Sequence, residues 1–170
     1  MFDEVVSIPT PLFESIKGRY FFGQSGLLQF GNGRNAWCGL FNPCNSHVKL
    51  HVNVFTITNL SDTDFLAEIW FNPELHGQGF VSDMVTPSNR SICPSPNPKV
   101  ELVFAENVRG IPKRGINAYD REIPPKATIA SEEDGKYIIP EGESFVIFLD
   151  GQEDRSLQAR VAFGWWERSC

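Results

Sequence analysis

Three segments in the last third of the chain decide the fold class: Tyr137-Ile-Ile139, Ser144-Phe-Val-Ile-Phe-Leu149 and Gln158-Ala-Arg-Val-Ala-Phe-Gly-Trp-Trp166. Their β-branched and aromatic residues are typical of strands, and only short connections separate them. Asp134-Gly135, Pro140-Glu-Gly142 and Asp150-Gly151 favour tight turns, because Gly and Asp tolerate a positive φ. We therefore expect antiparallel strands that reverse at these turns.

The remainder of the chain predicts the same class. It has 170 residues, of which 41% are hydrophobic, and its 14 Phe and 4 Trp are enough to fill the core of one domain. The 14 Gly and 12 Pro interrupt every stretch that would otherwise have a helical period. We predict an all-β fold over residues 19–170, in which about nine or ten strands form an antiparallel two-sheet sandwich with jelly-roll-like connections.

Residues 1–18 have a different pattern. Pro9 and Pro11 lie among isolated apolar side chains, and these side chains follow neither a helical nor a strand period. We predict an extended N-terminal arm. Such an arm either lies across its own domain or adds as a strand to the open sheet edge of a neighbouring copy.

The longest strand is predicted from His47 to Thr58. Val48, Leu50, Val52, Val54 and Thr56 alternate with a polar set and are expected to face the core. The opposite face becomes apolar at Phe55, which predicts that a loop or another chain covers its far end.

Charge and hydropathy make some classes of partner less probable. The formal net charge is −6 and no stripe of Lys and Arg is present, so nucleic acid is not an expected partner. No apolar run approaches the roughly 20 residues of a membrane helix. The first residues lack the basic and apolar regions of a signal peptide. We predict no membrane span and no classical export.

Four cysteines, Cys38, Cys44, Cys93 and Cys170, do not have the spacing of a zinc site. Cys38 follows Trp37 in a strand-like segment, which is typical of a buried thiol. Cys170 is the last residue of the sequence and is either an idle exposed thiol or a cross-link to another subunit. All four are retained as candidates for intersubunit disulfides.

The histidines give a weak indication of a metal site. His47 and His51 share a strand face, but Lys49 lies between them and its positive charge opposes a metal ion. No nucleophile elbow, carboxylate pair or phosphate loop is present. We predict no catalytic residue, metal site or cofactor.

Trp165 and Trp166 are consecutive strand residues, so one indole should point inward and the other outward. Trp166 is the candidate for the outward residue. An exposed Trp can stack on a sugar ring or fill a pocket of a partner subunit, unless the N-terminal arm covers it.

The stretch from Glu133-Asp-Gly-Lys-Tyr-Ile-Ile-Pro-Glu-Gly-Glu-Ser-Phe145 to Arg160-Val-Ala-Phe-Gly-Trp-Trp-Glu167 resembles small uncharacterised jelly-roll proteins of spore-forming Firmicutes. In overall plan the chain also resembles jelly-roll subunits of endospore appendages and phage virions, whose N-terminal arms reach into neighbouring copies. That resemblance implies a spore-surface or other extracellular assembly that is released by cell lysis; otherwise we expect the protein in the cytoplasm. Appendage subunits carry cysteines in the arm, whereas this arm has none before Cys38, so their cross-linking scheme does not transfer.

Three functions follow as hypotheses. The first is a non-enzymatic structural subunit that self-assembles into a filament, coat or virion-like assembly, through arm docking and sheet-edge contacts and with disulfide reinforcement. The alternative is a carbohydrate- or receptor-binding module that uses loop residues and exposed aromatic residues such as Trp166. A cupin-like metalloenzyme is the third.

Overall fold

The computed structural model describes residues 5–170, most of which form two antiparallel β-sheets packed face to face. In this part of the chain the elements are α1 (Thr10–Ile16), β1 (Tyr20–Gln24), β2 (Leu28–Gly31), β3 (Asn35–Phe41), β4 (Val48–Asn59), β5 (Phe65–Phe71), β6 (Phe80–Val81), β7 (Val85–Pro87), β8 (Glu101–Val108), β9 (Ile116–Ile123), β10 (Thr128–Ile139), β11 (Ser144–Leu149) and β12 (Ser156–Ser169). The predicted all-β sandwich is confirmed.

Sheet A has the strand order β10-β4-β12-β1-β7, with β2 also paired to β12, and sheet B has the order β6-β8-β3-β11-β5-β9. The chain crosses from one sheet to the other between β3, β4 and β5, and again between β10, β11 and β12. Such repeated crossing is typical of jelly-roll-like connections. The apolar segments β11 and β12 therefore lie inside their sheets, with a paired strand on each side.

The main core lies between the sheets and is centred on β11. All six residues of β11 are buried, and Phe145 packs against Phe55 at 5.8 Å and Phe163 at 6.2 Å between ring centroids. These two partners belong to β4 and β12, so the contact joins the sheets. Burial of a side chain of this size stabilises the fold by about 2–3 kcal/mol relative to exposure.

The outer face of sheet B is also covered in part. Val146 and Phe148 point away from the main core and form a second apolar cluster with Trp37. The indole Nε1 of Trp37 donates a hydrogen bond of 2.9 Å to the carbonyl oxygen of His76, which ties the loop after β5 over this face. Exposed apolar side chains are found on both sheets, as at Phe22 of β1 in sheet A and at Phe80 of β6 and Ile116 of β9 in sheet B.

A β-bulge in β4 corrects the predicted face assignment. Val52 pairs with Trp165 and Val54 with Gly164, so Asn53 is an extra residue without a partner on β12. The bulge reverses the alternation, and Phe55 therefore points into the core with no exposed surface. The prediction that a loop or another chain covers Phe55 was wrong.

A larger irregularity lies opposite this bulge in β10. Glu132 pairs with Val54 and Tyr137 with Val52, so residues 133–136 have no counterpart on β4. Asp134 and Gly135 have positive φ, as expected, but they shape a bulge within one continuous strand rather than a reversal between two strands. The predicted turn at this position was therefore wrong.

The other two predicted turns connect the sheets. Gly142 has φ +80° and lies between β10 and β11, which belong to different sheets, so the turn at residues 140–142 is present. Gly151 is not in the positive-φ region; the residue that is, in the connection from β11 to β12, is Asp154. Gly151 is required by a close approach, because a Cβ there would overlap the carbonyl oxygen of Arg34.

The N-terminal arm is not extended throughout. Pro9 is the N-cap residue of a seven-residue helix, α1, and Pro11 lies in its first turn, where proline is tolerated. Glu14 of this helix is buried and its Oε2 accepts a hydrogen bond of 2.7 Å from Nε of Arg19. The prediction of an extended chain was wrong over residues 10–16, and residues 1–4 of the predicted arm lie outside the described residues.

Candidate functional site

The structure separates the four cysteines. Cys38 is fully buried in β3, whereas Cys44, Cys93 and Cys170 are exposed. Burial raises the pKa of the Cys38 thiol, which keeps it protonated and unreactive. Cys38 is therefore removed from the candidates for an intersubunit disulfide, because no other chain can reach it in the folded protein.

Trp166 is on the outer face of sheet A but is only 3% exposed. Its indole stacks on the imidazole of His51 at 5.3 Å between ring centroids and 11° between planes. The bulge of β10 covers it, since a Cβ at Gly135 would overlap the indole ring. The prediction of an exposed contact residue was wrong, because alternation gives the face of a strand residue but not what lies over that face.

The two histidines near β4 are not a metal pair. His47 precedes the strand and has φ +58°, and its Nδ1 lies 3.7 Å from Oε1 of Glu141. His51 lies within the strand, and its Nδ1 is 3.1 Å from the carbonyl oxygen of Gly135. Among residues 5–170 no group of three or more His, Cys, Asp or Glu side chains is placed to hold a metal ion.

The outer face of sheet A has an apolar depression of about 270 Å³. Its walls include Phe22 of β1, which is 47% exposed, Val54 of β4 and Ala162 of β12. A second depression of about 240 Å³ shares Phe22 and Ala162 and adds Met84. We call these two depressions the apolar groove.

A second feature of the same face is a cleft of about 520 Å³, which we call the basic pocket. Its lining residues are Lys49, His51, Ile138, Pro140, Arg168 and Ser169. Lys49 and Arg168 are direct partners in the ladder between β4 and β12, two pairs away from His51 and Trp166. Two cations thus lie side by side on a protein whose formal net charge is −6.

The electrostatics of the pocket disfavour a charged His51. Burial lowers the pKa of His51, and the nearby charges of Arg168 and Lys49 lower it further. The hydrogen bond with the Gly135 carbonyl and the carboxylate of Glu14 act in the opposite direction. The neutral imidazole donates from Nδ1 to Gly135, which leaves Nε2 as an acceptor.

Sequence reasoning noted Lys49 and His51 on one strand face but did not include Arg168. The partner of Lys49 depends on the register between β4 and β12, and the unpaired Asn53 shifts that register. The available signal was the alternation of Trp166 and Arg168, which places both on one face.

The fold and this face define a β-sandwich whose distinguishing surface is an apolar groove beside a basic pocket. The chain matches a family of unknown function, DUF6143, over residues 1–170 and belongs to it. No curated protein and no solved structure matches the chain. The family is uncharacterised, in agreement with the resemblance to uncharacterised proteins, whereas the spore-surface setting stays a prediction. Within residues 5–170, no helix is long and apolar enough to cross a membrane.

Proposed function

We propose that the protein is a non-enzymatic structural subunit that self-associates when the N-terminal segment of one copy docks into the apolar groove of another. The observation that carries the proposal is the exposure of this segment. Val5 is 87% exposed and Val6 is 72% exposed, although both are apolar. Ile8 and Leu12 continue the exposed apolar series toward and into α1.

The groove is a suitable acceptor because its own apolar surface is exposed. Phe22 and Met84 are both exposed, and Val54 and Ala162, on the neighbouring strands β4 and β12, are half-buried. Docking would bury apolar side chains of both copies, and each removes surface from water at about 25 cal/mol per Å². An arm that reaches into another copy forms rings or open filaments, according to whether the rotation between copies closes.

The sheet edges support arm docking more than edge pairing. The edge strand β9 carries consecutive charged residues, Asp120, Arg121 and Glu122, and the edge strand β10 contains the bulge at residues 133–136. Charges and bulges on edge strands hinder pairing with another chain. Sheet-edge contacts are therefore secondary in this proposal, and the exposed Cys44, Cys93 and Cys170 are available for disulfide reinforcement.

The resemblance to spore-surface and virion subunits supports an assembly outside the cell. The alternative, a carbohydrate- or receptor-binding module, was based on loop residues and on exposed aromatic residues such as Trp166, and the burial of Trp166 removes that residue from the contact surface. We therefore place self-association first.

Light scattering of the purified full-length chain tests the proposal. We expect assemblies larger than a monomer, and we expect both Phe22→Ser in the groove and the double substitution Val5→Ser with Val6→Ser to reduce them to monomers. Ile111→Ser is the matched control, because Ile111 is also apolar and exposed but lies in the loop between β8 and β9. A monomeric full-length chain, or equal loss with Ile111→Ser, would refute the proposal.

A further inference from the structure

We propose that the basic pocket is a binding site for a small organic anion that carries a carboxylate or phosphate group. Lys49 and Arg168 are direct partners in the ladder between β4 and β12. Like charges directly opposite each other in a ladder destabilise a sheet. A bound anion between the two side chains would turn this repulsion into attraction.

The charges near the pocket are incompletely compensated. Glu14 is the acidic partner of Arg168, at 2.5 Å between Oε1 and Nη2, and it is shared with Arg19. Lys49 makes no ion pair with any described residue of the chain. Glu14 is therefore shared by two arginines while Lys49 has no acidic partner among the described residues, which leaves an excess positive charge at this end of β4 and β12.

The side chains of the pocket also offer hydrogen-bond donors to an anion. The Lys49 ammonium has three donors, and Nη1 of Arg168 makes no hydrogen bond or ion pair with a described residue. Ser169 adds a hydroxyl group. Charge-assisted hydrogen bonds of this kind are the ones that hold carboxylate and phosphate oxygens.

Size and lining restrict the ligand further. A volume of about 520 Å³ is within the usual range of small-molecule sites. Ile138, which is 52% exposed, and Pro140 give the pocket an apolar side next to the cations. The preferred ligand is thus a compact anion with a short apolar portion, such as a medium-chain carboxylate.

The same carboxylate chemistry has a second source within the protein. Asp3 and Glu4 precede Val5 in the sequence, and the basic pocket is on the same sheet face as the apolar groove. The acidic residues of a second copy would supply carboxylates to the pocket when its arm docks. A free anion and these residues then compete for Lys49.

Calorimetric titration with hexanoate and with inorganic phosphate in low-salt buffer tests the site. We expect saturable binding by the full-length chain, weakened about fivefold by Lys49→Gln, since one exposed ion pair contributes up to about 1 kcal/mol. Lys126→Gln is the control, because Lys126 is an exposed lysine that precedes β10 and pairs with Asp62. Absence of saturable binding, or equal weakening by both substitutions, would overturn the proposal.

A full-length variant with Asp3→Asn and Glu4→Gln distinguishes the sources. Tighter binding of hexanoate by this variant would show that the acidic residues occupy the pocket in the unmodified chain. Unchanged binding would show that the ligand is a free anion. A chain that does not self-associate but still binds the anion would show that the proposed assembly is wrong and that the anion site is independent of it.

Discussion

Glu14 of α1 and Arg168 of β12 form an ion pair in which Nε of Arg168 donates a 2.7 Å hydrogen bond to Oε1 of the buried carboxylate. The two residues are 154 positions apart, so the pair fastens the N-terminal helix to the last strand. The helix therefore docks on its own domain, and the exposed residues 5–9 before it are available for contact with another copy. A deletion of residues 1–18 would remove Glu14 together with the arm, which makes point substitutions the better test of assembly.

We predict that Glu14→Gln lowers the free energy of unfolding by about 2 kcal/mol, because two arginines lose their shared buried partner. Chemical denaturation monitored by Trp fluorescence measures this loss. Glu74→Gln breaks an exposed pair with Arg114 and should cost about 0.5 kcal/mol or less. Equal losses in the two variants would show that Glu14 does not anchor the helix.

We predict that Gly135→Ala destabilises the fold by about 3 kcal/mol, since φ is +73° and the new Cβ would overlap the Trp166 indole. Gly33→Ala is a matched control with the same φ of +73° and nothing within 4 Å of its Cβ. The control isolates backbone strain and should cost about 1 kcal/mol. If both variants lose the same stability, close packing of the β10 bulge on Trp166 does not contribute to the stability of the fold.

We predict that a thiol-specific reagent modifies Cys44, Cys93 and Cys170 in the native protein and modifies Cys38 only after denaturation. Cys38 is fully buried, and burial raises its pKa, so neither access nor a thiolate is available. Mass spectrometry of the labelled peptides identifies the sites. In Cys38→Ala the native labelling should be unchanged and the denaturant-dependent label should disappear. Rapid native labelling of Cys38 would contradict this part of the structure.

We predict that NMR titration gives His51 a pKa below the reference value of 6.5. The cations that face it are Lys49 on β4 and Arg168 on β12, opposed by Glu14 on α1, and the Gly135 carbonyl faces it from β10. Between the folded and unfolded pKa values the unfolded chain binds more protons, so stability falls as pH is lowered through this window. His51→Gln should flatten that dependence. A bound anion should raise the pKa of His51, whereas no change would speak against the anion site.

The fold class could be predicted because composition and alternation act locally. β11 is apolar at nearly every position and lies within sheet B with both faces covered, as a continuous apolar run indicates. The bulge at Asn53 could not be predicted from alternation, because alternation assumes an uninterrupted ladder. The bulge turns Phe55 into the core and Val54 to the outer face of sheet A, where Val54 lines the apolar groove.

The basic pocket depends on register. Lys49 and Arg168 meet because β4 and β12 pair in one particular alignment, and nothing local to either strand specifies it. The burial of Trp166 depends on residues 133–136 of β10, which local turn signals had indicated as a hairpin. The short helix α1 was missed because seven residues that contain Pro11 give too little helical period.

Disulfide trapping between two differently substituted chains tests the central claim most directly. In a background of Cys44→Ser, Cys93→Ser and Cys170→Ser, one chain carries Val6→Cys in the arm and the other carries Ala162→Cys in the apolar groove. If the arm of one copy docks in the groove of another, mixing the two chains under mild oxidation gives a covalent heterodimer. Its yield exceeds the yield of covalent homodimer that either chain forms alone. If the mixture gives no heterodimer, or no more than a mixture with Ile111→Cys in place of Ala162→Cys, the arm does not bind the groove and the proposed mode of assembly is wrong.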